Sequence, residues 1–452
     1  MTELGVSIII PVYNLATTLP ETIASIYAQT YVNWEVIIVD NNSQDETLTI
    51  AKNLALQESR IQVAIEPQQG ASIARNRGIK LAKFDWLLFL DADDWIAPQY
   101  LEKMTKAIAL NPTLDAVHCG WVRVTPDGRC SSDKHGPHKS DIFEILSRYC
   151  TFPPHACVIR KTKVEEVGGF EVLPCCQDWD FWQRIARSGA KFAAIPDVMA
   201  FYRMRPGSIS KSGTQCFLNA MRIVTLAYRP DPRVSNPLPA YANGLKTKDI
   251  QTKKLIVSAW FGGLLIAFGQ NASEMMKLIE DNSDSNLNPY IIANSLFESI
   301  SVAQCKLPSD WYQIWPQLEN LITDFLGTLE KQSGTVALAT RTRRILERLI
   351  LENTENQEEI TIGNTHAIKI EITAPIPDIY PPTQTDRLHC WITMSNTRLG
   401  SLELPITNGV VKSWVIKAAI PTKFVWVTLQ KILIQKLKFF YHYIRFKKYS
   451  NL

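Results

Sequence analysis

Leu87-Leu88-Phe89-Leu90-Asp91-Ala92-Asp93-Asp94-Trp95 is the stretch on which the reading of this chain turns. An apolar run gives way to three carboxylates within four positions, the pattern of a buried strand that stops at the carboxyl edge of a sheet. Val6–Pro11 and Glu35–Asp40 are Val- and Ile-rich runs that also end at turn residues, and Gln62–Glu66 is another strand. Pro20–Thr30, Asp45–Ser59 and Ile73–Ala82 carry helical spacing between them. The βαβαβαβ order predicts an α/β fold, an open and mostly parallel sheet with helices on both faces. Such sheets bind ligands at the carboxyl ends of their strands. Asn14, Asp40-Asn41-Asn42-Ser43 and Asp91-Ala92-Asp93-Asp94 all fall there.

Composition narrows the classes around that core. A chain of 452 residues has room for two or three domains, and 46% hydrophobic with 20% charged residues excludes a largely disordered one. The longest apolar stretch, Leu255 to Gly269, is shorter than the ~20 residues a spanning helix needs and reads as a buried helix. Nine cysteines without a CxxC pair predict neither a disulfide framework nor a zinc site, and a reduced, cytoplasmic location fits them best. MTELGVSIIIPVYN lacks the basic region of a signal peptide. The net charge of +4 is uneven, because Leu404 to Leu452 holds nine Lys or Arg and no Asp or Glu.

Downstream the periodicity changes. Residues 1–213 form the α/β domain, and residues 214–355 read as helical. Residues 358–421 read as a small β-rich accessory domain with strands at Ala367–Thr373, His389–Ser395 and Gly409–Ile416. Residues 424–448 read as a basic amphipathic helix with an aromatic apolar face, suited to peripheral contact with an anionic bilayer surface. Trp260, Trp311 and Trp315 lie in helical stretches and read as core.

Chemistry gathers in four places. Asp91, Asp93 and Asp94 supply hard oxygen ligands for Mg²⁺ or Mn²⁺, although a carboxylate there also serves as a helix cap. Asp40 and Asn41 offer acceptors and donors for a base and a ribose. Arg75, in GASIARNRG, presents a planar donor fork to phosphate or base. Asp178, in Gln177-Asp178-Trp179-Asp180-Phe181-Trp182, sits beside two tryptophans, a setting for a general base; the alternatives are a helix cap and an ion pair with Arg184.

Over residues 4 to 212 the motifs VSIIIPVYN, IIVDNNSQDET, GASIARNRG, LLFLDADDW, VGGFE, QDWDFWQRIARSG and YRMRPGSIS follow one another in an order and spacing that resembles the family 2 glycosyltransferases. The resemblance implies a GT-A fold and a metal-dependent, inverting transfer of a hexosyl-type sugar. It sets Pro11, Tyr13, Asp40, Asn41, Arg75 and Asp91 at the nucleotide-diphosphate sugar donor. It assigns Asp93, with Asp91, to Mn²⁺ or Mg²⁺, and Asp178 to the catalytic base. It further implies a glycan or lipid-linked acceptor, a role in surface polysaccharide or glycolipid synthesis at the cytoplasmic face of the membrane, and no nucleic-acid partner. Three departures stand out: Asn41 where many members have a second acid, Gln177 where an acid precedes the base, and Arg205 where a His is common. A sugar nucleotidyltransferase is disfavoured because Pro11-Val12-Tyr13-Asn14 is not a Gly-rich basic loop, and a dehydrogenase because no GxGxxG follows a strand. Gln177 and Arg205 leave a catalytically inactive nucleotide- or glycan-binding module as the remaining alternative.

Overall fold

The computed structural model describes residues 4–206, 213–246, 250–280, 285–355 and 357–424. The chain divides into two compact units, residues 1–307 with 321–339 and residues 308–320 with 340–452.

The first unit is built on eight strands: β1 (Val6–Val12), β2 (Trp34–Asp40), β3 (Ile61–Ile65), β4 (Trp86–Phe89), β5 (Trp95–Ile96), β6 (Ala116–Val124), β7 (Cys157–Arg160) and β8 (Phe192–Arg203). Their order in the sheet is β3-β2-β1-β4-β7-β6-β8-β5. β1 runs parallel to β2 and β4, in the register Val12 to Asp40 and Ile9 to Phe89. β7 is antiparallel to both β4 and β6, and β8 is parallel to β6. Two reversals restore direction, so β6 and β8 end at the same edge as β1, β2 and β4. That edge collects every carboxylate singled out above. The fold class is the expected one, a mostly parallel sheet in which β7 and β5 pair antiparallel, and it is twice as wide as the four strands read from sequence. Ile8, Ile9, Ile10, Val36, Ile37, Ile38, Val39, Leu87, Leu88 and Phe89 are fully buried, as covering on both faces requires.

Among the described residues the first nine α-helices along the chain are α1 (Leu19–Tyr27), α2 (Thr47–Gln57), α3 (Ala71–Leu81), α4 (Tyr100–Leu110), α5 (Phe143–Leu146), α6 (Lys161–Glu166), α7 (Gln177–Arg187), α8 (Gly213–Ala227) and α9 (Ile250–Ala267), and Ser273–Met276, Pro289–Gln304, Trp311–Ser333 and Leu338–Asn353 follow them. α3 lies directly on β1, where a Cβ at Gly78 would come within 2.4 Å of Ile9 Cγ2. α9 is buried as expected, and no helix among the described residues is long and apolar enough to cross a membrane. The cysteines depart from expectation: Cys175 is joined to Cys216 by a disulfide, a pairing across 41 residues that no spacing announces.

The second unit carries β9 (Glu359–Ile362), β10 (Thr365–Glu371), β11 (Arg387–Met394) and β12 (Thr397–Pro405) in the order β12-β11-β10-β9. Ile370, Leu388, Cys390, Ile392, Leu402 and Ile416 form its core. The strand expected over Gly409–Ile416 is not formed. Val411 makes a single bridge to Ile379, and residues 413–424 are helical. Asp378 accepts the Ser413 N–H at 2.8 Å, a cap that starts the helix instead. Trp311 and Trp315 are core, as expected, and Trp260 is half-buried. The helix expected over residues 424–448 lies outside the described residues beyond Phe424.

Candidate active site

Asp40 ends β2. Its Oδ2 accepts from Ser43 N at 3.2 Å, while its buried Oδ1 has no hydrogen-bond partner among the described residues. Asn41 is engaged both as donor and as acceptor: Nδ2 donates to the carbonyls of Glu66 (2.9 Å) and Gln68 (2.7 Å), and Oδ1 accepts from Gly70 N at 2.7 Å. Gly70 precedes α3 at φ 144°, so Asn41 fixes the loop from which α3 departs. Pro11 is half-buried opposite Val39, and Tyr13 is exposed just past the end of β1.

α3 carries Arg75 inward. Its Nη2 lies 2.5 Å from Asp91 Oδ1, and its guanidinium carbon is 5.3 Å from the centre of the Phe170 ring. That ring is held from the next position on α3. Asn76 Nδ2 donates to Phe170 O and Asn76 Oδ1 accepts from Phe170 N, both at 2.8 Å. Gly169 makes the clasp possible, since its φ is +73° and a Cβ there would stand 2.5 Å from Asn76 Oδ1.

The three carboxylates after β4 differ in their fastening. Asp94 is buried; its Oδ1 accepts from Arg203 N at 2.8 Å, and its Oδ2 lies 3.1 Å from Nδ1 of the fully buried His155. Asp93 is paired with Arg205 Nε. Burial, then the neighbouring Asp94, pushes the Asp93 carboxyl up to about 7 in spite of Arg205. Burial likewise raises Asp94, against the pull of His155. Burial therefore penalises the charge that these carboxylates carry, and the loop gathers three of them with hard oxygen donors. A divalent cation fits that oxygen donor set.

Asp178 lies in the first turn of α7, which follows Cys176 in a left-handed conformation (φ 61°). Its Oδ1 accepts from Trp179 N at 2.9 Å, and Cys150 Sγ is 3.6 Å from its Oδ2. Burial raises its pKa; Trp179 N–H and the charge of Arg75 hold it back, and Asp91 adds to it. Asp178, Arg75 and Asp91 thus share one electrostatic neighbourhood although 103 positions separate Arg75 from Asp178 in the chain. Arg184 pairs with Asp180 at 2.8 Å rather than with Asp178, and Arg233 Nη1 is 2.9 Å from the other Asp180 oxygen.

His155, Cys150 and the Asn76–Phe170 clasp were not singled out from sequence. A lone histidine after Pro153-Pro154 and a lone cysteine carry no local signal, and the clasp spans 94 residues.

Comparison with known proteins places the chain. Residues 7–168 match the family described as Glycosyl transferase family 2. The glycosyltransferase AglE of Haloferax volcanii is 30% identical over 206 residues, covering 44% of this chain and 67% of AglE. The chain belongs to glycosyl transferase family 2. EpsJ of Bacillus subtilis, described as an uncharacterized glycosyltransferase, is 36% identical over 124 residues, 27% of this chain and 36% of EpsJ. The matches thus span about a third of the length of the first curated relatives. The S. aureus TarS 1–349 complex with UDP-GlcNAc covers 76% of this chain and 91% of that one at a TM-score of 0.46 and 18% identity, too distant to argue from. The eight-stranded sheet of this family 2 member is of the α/β class that its motifs imply.

Proposed function

We propose that this family 2 member is an inverting glycosyltransferase that moves a hexosyl-type sugar from a nucleotide-diphosphate donor to an acceptor hydroxyl. The observation that carries the reading is the meeting of Asp91, Arg75 and Asp178 at the edge where β1, β2 and β4 end. In the proposed reaction Asp178 accepts the proton of the acceptor hydroxyl as that oxygen bonds to the anomeric carbon. The bond from that carbon to the diphosphate oxygen breaks, and its electron pair leaves with the nucleoside diphosphate. A carboxyl raised by burial accepts a proton more readily than a solvated one, the direction a general base needs.

Asp40 Oδ1, unpartnered, is the acceptor for a donor group on the base or ribose, and exposed Tyr13, with Pro11 behind it, flanks the base. Asn41 acts by holding the loop into α3, and so the aim of Arg75 at phosphate. Asp93, with Asp91, would hold Mn²⁺ or Mg²⁺, which when bound offsets charge on the leaving diphosphate. The basic tail from Leu404 supports a lipid-linked or glycan acceptor at the cytoplasmic face of a membrane, in surface polysaccharide or glycolipid assembly.

The test is Asp178→Asn. Transfer falls by roughly a hundredfold or more while donor affinity, read by calorimetry, stays near wild type. Near-normal turnover in that variant sinks the assignment.

A further inference from the structure

The fastenings of the Asp91–Asp94 loop divide into fixed and movable. Asp94 is sealed by Arg203 N and His155. Asp91 is held by Arg75, whose side chain is 7% exposed and rests against Phe170. Asp93 faces a different partner. Arg205 comes from the stretch just past β8, and its side chain is 42% exposed against 13% for Asp93. A long, solvated arginine on a nearly buried carboxylate can be exchanged; a buried arginine clamped against a ring cannot.

We infer that Arg205 is a resident counter-cation that occupies Asp93 until a donor arrives and must leave it before a divalent cation binds, which makes cation and nucleotide diphosphate bind cooperatively. The inference rests on the metal reading proposed above. Guanidinium and metal compete for the lone pairs of Asp93 Oδ2, the oxygen that Arg205 Nε holds. A diphosphate at this edge presents oxygens to which a guanidinium donates as a planar fork, so the nucleotide supplies Arg205 with a new partner. Each ligand thereby lowers the cost of binding the other, and the coupling is reciprocal. Arg75 does not take part in the exchange, because Asp91 and Phe170 hold it in both states.

Mn²⁺ titration of wild type, Arg205→Gln, Arg205→Lys and Asp93→Asn separates the cases, read by calorimetry and by the resonance of free Mn²⁺, without nucleotide and with UDP or GDP. Arg205→Gln is expected to bind Mn²⁺ alone tighter than wild type, by up to about fivefold, the scale of a partly screened ion pair. Its gain in Mn²⁺ affinity on adding nucleotide is smaller than that of wild type. Arg205→Lys, which keeps the charge, behaves like wild type, and Asp93→Asn abolishes binding. Equal Mn²⁺ affinity in wild type and Arg205→Gln, with Asp93→Asn still inert, overturns the inference and leaves the metal reading standing. No Mn²⁺ binding to wild type or Arg205→Gln with either nucleotide removes both.

Discussion

Asp180→Asn should unfold the first unit more easily without touching the reaction, and the size of the effect follows from what surrounds the carboxylate. Asp180 and Arg184 are each 2% exposed. Arg184 Nε lies 2.8 Å from Asp180 Oδ2, and its Nη1 donates to Val167 O at 2.6 Å. Arg233 Nη1 reaches the second Asp180 oxygen at 2.9 Å but also holds Asp231 and Glu171. Replacing the carboxylate with an amide leaves Arg233 partnered and Arg184 charged, buried and uncompensated. Breaking a buried pair from one side costs about 3–5 kcal/mol. At roughly 2–4 °C per kcal/mol, the melting temperature falls by roughly 6–20 °C.

Thermal unfolding of wild type, Asp180→Asn and Asp178→Asn side by side is the assay, with turnover measured well below the transition of the weakest variant. Asp178→Asn should melt at or above wild type, since an amide removes a desolvated charge and still accepts from Trp179 N. Asp180→Asn should keep turnover within a few-fold. Adding Arg184→Met to Asp180→Asn should restore part of the loss, because the orphaned charge goes with it. An Asp180→Asn protein that melts normally and yet loses turnover would refute the reasoning and move the proton-accepting role two residues along α7.

Asn76→Ala leaves the N–H and C=O of Phe170 without their clasp, costing about 2–3 kcal/mol, and it weakens donor affinity because the ring beside Arg75 is freed; melting and calorimetry read the two effects. Cys216→Ser, or reduction of wild type, lowers the stability of the first unit by about 2–4 kcal/mol through loss of the 41-residue closure, measured by unfolding with and without reductant. His389 is buried with both ring nitrogens unpartnered among the described residues, and burial followed by nearby Arg398 pulls its pKa down to about 4. An unfolded His takes up a proton below pH ~6.5 while the folded one does not until about 4, so stability is present above that window and lost as pH falls through it. His389→Phe should therefore flatten the acid side of the second unit's stability curve, and an unchanged slope would count against the burial argument.

The central strands were legible because a parallel strand covered on both faces is an uninterrupted apolar run, and Val6–Val12 and Trp34–Asp40 have no other explanation. The outer strands were not. β5 has two residues and β7 four, while β8 alternates irregularly across Pro196, so none holds a period long enough to read. Asp91, Asp93 and Asp178 were legible as charges set against apolar runs. Asn41 shows the limit of such reading: residue type gives donors and acceptors but not their partners, and here the partners are backbone groups 25 to 29 residues away. The disulfide was hidden for the same reason, since what brings Cys175 to Cys216 is the packing of α8 and not any spacing.

Within Gln177–Arg187, however, the sequence held more than a list of carboxylates. Residues two apart on a helix are turned by about 200° from one another, so Asp178 and Asp180 cannot serve one site. An aspartate four residues before an arginine meets it on the same face. Asp180 stands four before Arg184, and Asp178 does not, which commits Asp180 to the ion pair and turns Asp178 toward Arg75, Asp91 and Cys150. The opposed faces also explain why one helix can carry a buried, fully compensated carboxylate and an under-compensated one side by side. The first anchors α7 through Arg184 and Arg233, and that anchorage keeps the second from relaxing into solvent, where its raised proton affinity would be lost.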